Sequence, residues 1–130
     1  MKTRASWPLC FVLLAVCACD SGGGLSEAAD QFCGDEMLRL EGARGALSSG
    51  RTETTIGELF SAALAARLET NFLFCVHTRR IAEGEAKEIR LTFSIASDHY
   101  FRARNDLGAA GKQMAAMIAA YRVLLSYPVR

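Results

Sequence analysis

Histidine is scarce in this sequence: His77 and His99 are the only two among 130 residues. Neither stands in a CxxC, HxxxH or comparable ligand spacing, so a metal centre built from His and Cys is not indicated. His77 lies two residues from Cys75, a separation that points two helical side chains away from each other and argues against a nucleophile–base pair. A Gly-x-Ser-x-Gly elbow and a triad-like series are also missing. Charge of one sign is not accumulated either. The 15 Lys and Arg are interspersed with 14 Asp and Glu, and Arg79-Arg80 is the only adjacent basic pair. No patch is visible that would collect phosphate, and nucleic acid is not an expected partner. Glu83, Glu85 and Glu88 form an acidic cluster, but Lys87 and Arg90 stand among them in a turn expected to face solvent. They read as a solvated surface rather than as paired catalytic carboxylates. Met114 and Met117 read as ordinary helix core rather than as a cofactor box. No catalytic, cofactor-binding or metal-ligating residue is therefore expected, and no small-molecule substrate.

The amino terminus is richer in information. Lys2 and Arg4 make a short positive region, and the apolar stretch from Pro8 to Ala18 is too short to cross a bilayer as a mature helix. It reads as an export signal. Val16-Cys17-Ala18-Cys19 closes it and resembles the bacterial lipobox, in which an aliphatic residue at −3 and a small one at −1 precede the lipidated cysteine. The resemblance implies that residues 1–18 are removed and that Cys19 carries the acyl chains, palmitate among them. Cys17 is the poorer register because Val16 would then occupy −1. Asp20-Ser21-Gly22-Gly23-Gly24 has the composition of a flexible tether, expected over residues 19–25. The expected location is the bacterial cell envelope, facing the periplasm, with the inner or outer membrane left open.

Loss of the signal removes Lys2 and Arg4 and moves the formal net charge from +1 to −1. It also removes Cys10 and Cys17. With Cys19 acylated, Cys33 and Cys75 remain, a candidate disulfide in an oxidising compartment; the alternative is two buried free thiols. Residues 26–130 suffice for one small domain with a modest core.

Periodicity predicts an α+β fold. Ser26 is expected to cap a first helix with Ala28, Ala29, Phe32 and Cys33 on one side, interrupted at Gly34. A second helix runs from Asp35 to Leu47 and ends at Ser48-Ser49-Gly50. Thr55-Ile56-Gly57-Glu58 has the form of a capping box that starts a long helix reaching about Ile81. Phe60, Leu64, Leu68, Phe72 and Val76 would make its buried face. Ile89, Leu91, Phe93 and Ile95 then alternate with Arg90, Thr92, Ser94 and Ala96, the pattern of a half-buried strand. Ser97-Asp98-His99 would turn it into a hairpin returning through residues 100–104. A last helix from Leu107 carries Met114, Met117, Ile118 and Tyr121. Residues 122–127 end it either as a helical turn or as a short strand. The alternative fold is an irregular all-α bundle.

The order of long helix, hairpin, helix and short strand over residues 58–130, with Cys75 before the first strand and Tyr127-Pro128-Val129 closing the chain, resembles the TonB-like C-terminal domain. Three features depart from that family. Asp98-His99 stands where it has Asp-Gly, Ala115-Ala116 stands near the place of a second cysteine, and no Pro-rich spacer precedes the domain. The resemblance implies a small periplasmic domain that recognises proteins by strand addition at a sheet edge. The expected function is thus a non-catalytic, lipid-anchored accessory or assembly protein of an envelope machine, showing an exposed apolar groove or sheet edge and no buried ionisable cluster. The alternative is an inhibitor or immunity-type lipoprotein that blocks a periplasmic enzyme with a protruding loop at residues 83–87. The remaining class, a small enzyme, requires Cys75, His77 or His99 to share a concave pocket.

Overall fold

The computed structural model describes residues 22–49 and 53–130, which form five helices: α1 (Gly22–Ser48), α2 (Glu53–Leu59), α3 (Ala62–His77), α4 (Glu83–Arg102) and α5 (Leu107–Leu125). The expected α+β fold is overturned. Among the described residues there is no strand, only one isolated antiparallel bridge between Arg79 and Val129. The architecture is an all-α bundle.

The expected hairpin is α4, and the reason lies in a spacing shared by two periods. Residues four apart share a face on a strand and also on a helix. Ile89 and Phe93 therefore satisfy both patterns, and both are buried. Ala86, Ala96 and Tyr100 continue that face only at helical spacing, and they are buried as well. Leu91 and Ile95, which alternation would place beside Ile89 and Phe93, lie exposed on the far side. Glu83 and Glu85 in the first turn and His99 and Arg102 in the last complement the helix dipole,.

Two other boundaries differ from expectation. α1 is continuous, so Gly34 does not interrupt it and Ser26 sits inside it rather than at its cap. Gly34 costs about 1 kcal/mol relative to Ala in a helix interior, which tertiary packing of the flanking turns absorbs. The expected long helix is broken at Phe60-Ser61. Ser61 caps α3, its hydroxyl accepting the Leu64 amide at 3.1 Å. The Thr55 hydroxyl of the expected capping box lies outside the described side chains.

α5 occupies the middle of the bundle, packed most extensively by α1 and by α4, while α3 bridges those two. Its Ala110, Met114, Met117, Ile118, Tyr121 and Leu124 are buried. The Phe72 and Phe93 rings stack at 3.9 Å between centroids, with the Tyr121 ring edge-on to both. α1 and α3 run antiparallel with one register throughout. Cys33 is bonded to Cys75, Glu36 to Asn71 and Asp30 to Arg79. The chain's end is tied to the α3–α4 connection: the Arg80 amide donates to the Pro128 carbonyl at 2.8 Å, and the Arg130 amide to the Thr78 carbonyl at 2.9 Å. The buried Arg79 guanidinium donates to the Tyr127 carbonyl and pairs with Asp30, so α1, the connection and the tail are held by one side chain.

Candidate functional site

Cys19 lies outside the described residues, as does the signal segment. Cys33 and Cys75 are both fully buried and joined as a disulfide, their Cα atoms 5.8 Å apart. A thiol nucleophile at Cys75 is thereby removed. His77 ends α3 and His99 lies in the last turn of α4, both exposed. The described residues contain no group of three or more His, Cys, Asp or Glu placed to hold a metal ion. Glu83, Glu85 and Lys87 belong to the first turns of α4, so the protruding loop expected at residues 83–87 is a helix start instead.

The disulfide organises the surface above it. A phenylalanine precedes each half-cystine, and closing the bridge sets Phe32 against Phe74 edge-to-face, with ring centroids 5.5 Å apart. The two rings are nevertheless 38% and 47% exposed. Large aromatic side chains in that condition are the anchors that dominate protein interfaces. Here their positions are set in advance by a covalent link between the two helices that carry them, which lowers the entropic cost of burying them in a partner. Periodicity places Phe32 on one side of the first helix with Ala28, Ala29 and Cys33. The signal that could have found the pair is the repeated Phe-Cys dipeptide, because cysteines that bridge two helices also bring their neighbours together.

One helical turn further along α1 lies a buried carboxylate, Glu36. The Glu36 side chain is shielded from solvent, and its carboxylate accepts from Arg39 at 2.7 Å and from the Asn71 amide at 2.9 Å. With both oxygens engaged it is a structural acceptor rather than a free base. The Tyr121 hydroxyl is buried with no hydrogen-bond partner among the described residues. Burial above all, and then the Glu36 charge, push this phenol above its usual range, against a smaller opposing effect of Arg67. A cleft of about 160 Å³ opens beside Glu36, walled by Leu40, Leu64, Leu68 and Met114 with Arg39 and Arg67 among its lining residues. Of the charged groups here only Glu36 is buried; Arg39 and Arg67 are exposed.

No family model matches this chain, and neither a curated protein nor a solved structure is detectably similar to it.

Proposed function

We propose that this protein is a non-catalytic, lipid-anchored binding domain of the cell envelope that blocks a periplasmic enzyme, in the manner of an inhibitor or immunity protein. The carrying observation is the exposed Phe32–Phe74 pair fixed over the Cys33–Cys75 bridge. A preformed aromatic anchor on a cross-linked helical scaffold suits occlusion of one partner. The rival reading, an accessory factor of an envelope machine, expected an exposed apolar groove or a sheet edge, and of these the described residues offer no sheet edge. Acyl chains on Cys19 supply the membrane attachment in both readings. Among the described residues no helix is long and apolar enough to cross a membrane.

The test is a mild-detergent pulldown of the tagged protein from membranes, comparing wild type, Cys19→Ala and the Phe32→Ala/Phe74→Ala double variant, followed by activity assays of what is captured. The reading expects a single hydrolase held by wild type and Cys19→Ala, inhibited one-to-one by the purified protein. The double variant should bind at least about thirtyfold more weakly, as loss of an interface hot spot requires. Capture of several machine subunits that vanish with Cys19→Ala, and no inhibition of any enzyme, would overturn it in favour of the accessory factor.

A further inference from the structure

The outward face of α4 carries two large apolar side chains that the bundle does not cover, Leu91 at 57% and Ile95 at 49% exposure. They are four residues apart and form one stripe along the helix. The charged residues that border this stripe are arranged about a single centre. Lys87 and Asp98 flank one edge and Glu88 and His99 the other, all four exposed. Members of each pair are eleven residues apart, which on a helix is three turns to within about 20°, so each pair lies along one line parallel to the axis. The midpoints of Lys87 and Asp98, of Glu88 and His99, and of Leu91 and Ile95 all fall between residues 92 and 94. Gly84 and Arg102, at the two ends of the centreline, share that midpoint.

From this arrangement we infer that α4 is the contact surface for a second copy of this chain, packed antiparallel about a two-fold axis that crosses its outward face at the level of residue 93. Such an axis keeps each edge of the helix on its own side and reverses its direction. Lys87 then faces the partner's Asp98, Glu88 faces the partner's His99, Leu91 meets the partner's Ile95, and Gly84 leaves room for the partner's Arg102. A parallel pairing would swap the edges and set Lys87 against the partner's Glu88, but it would bring the two Arg102 side chains together on the centreline, which costs rather than stabilises. Within one chain Asp98 is bonded to Arg102 at 2.9 Å, with both exposed, and it keeps an oxygen for the partner's Lys87. Among the described residues Lys87 is in no ion pair. A single helix pair is a small interface of the transient class. Confinement of tethered copies to one membrane surface would raise their effective concentration and offset that weakness. Neither Phe32 nor Phe74 belongs to the stripe, so this inference does not rest on the enzyme-blocking reading.

Cysteine cross-linking of the full acylated chain in membranes tests it. Two differently tagged copies, one carrying Leu91→Cys and the other Ile95→Cys, are co-expressed and mildly oxidised, with Leu38→Cys on exposed α1 as the control pair. The expected result is a disulfide-linked heterodimer at several times the control yield. Lys87→Asp or Asp98→Lys added alone to both copies should lower that yield about fivefold, and the two together in both copies should restore it. All of these positions are on the surface, and circular dichroism of each variant checks that the bundle is intact. Cross-linking no greater than the control, linkage of Leu91→Cys to a different protein, or charge reversals that add up without restoration would each overturn the inference.

Discussion

Replacing Tyr by Phe at two buried positions of this bundle should have opposite effects. Tyr100 and Tyr121 are both fully buried and both pack against aromatic neighbours, Tyr100 stacked on Phe60 at 4.7 Å and Tyr121 edge-on to Phe72 at 4.9 Å. Their hydroxyls differ. That of Tyr100 donates to the Leu59 carbonyl at 2.5 Å and pins α2 to α4, whereas that of Tyr121 has no partner among the described residues. Tyr100→Phe loses a hydrogen bond and strands a carbonyl, for a cost of about 1–2 kcal/mol. Tyr121→Phe keeps the ring contacts and removes a desolvated, unpaired hydroxyl, for a gain of about 1 kcal/mol. Urea unfolding of the oxidised Cys19→Ala form, followed by circular dichroism, should therefore move the midpoint down for the first variant and up for the second at unchanged slope. The pH dependence adds a second reading. Burial raises both phenols above their usual range. In the folded state they stay neutral where the unfolded chain ionises, so their contribution is complete below about pH 10 and is lost as pH rises beyond it. Each Phe variant should remove part of that alkaline loss, up to about 1.4 kcal/mol per pH unit. A Tyr121→Phe variant destabilised by 1 kcal/mol or more, roughly the value expected for Tyr100→Phe, would refute the argument.

Removing the Cys33–Cys75 bridge, which spans a sequence separation of 42, with paired Ala substitutions should lower unfolding free energy by about 4 kcal/mol in the chain-entropy model; a loss under about 1 kcal/mol would show that the bridge is not formed in the native protein. Asp30 is 56% exposed, yet its partner Arg79 is only 2% exposed, so Asp30→Ala should behave unlike a surface change. It leaves the guanidinium with the Tyr127 carbonyl alone and should cost about 3 kcal/mol, with faster amide exchange at Arg80 and Arg130 by mass spectrometry. A change within about 0.5 kcal/mol, typical of surface substitutions, would count against Arg79 as the side chain that holds the tail.

Much of the helical half of the fold was legible in the sequence. The Met114, Met117, Ile118 and Tyr121 stripe and the Phe60 to Val76 row are local patterns, and local patterns need no knowledge of the partner surface. The strand reading of residues 89–104 failed because alternation and helical periodicity coincide for residues four apart, and no sheet neighbour existed to satisfy an extended backbone; a helix satisfies its own. The same ambiguity concealed the site. On α1 alone Phe32 shares a side with Ala28, Ala29 and Cys33, and only the antiparallel register against α3 leaves it at the seam beside Phe74.

What the sequence by itself determined is the helical class of the segments that became α1, α3 and α5, the balance of charge, and the expectation of an anchor at Cys19, all of which depend on residues near one another in the chain. Tertiary structure decided which side of α4 faces the core, that Glu36 and Arg79 are buried with partners 35 and 49 residues away, and that the disulfide carries an exposed aromatic pair. Burial is a property of what the rest of the bundle covers, and five short helices can cover one another in more ways than periodicity alone can distinguish.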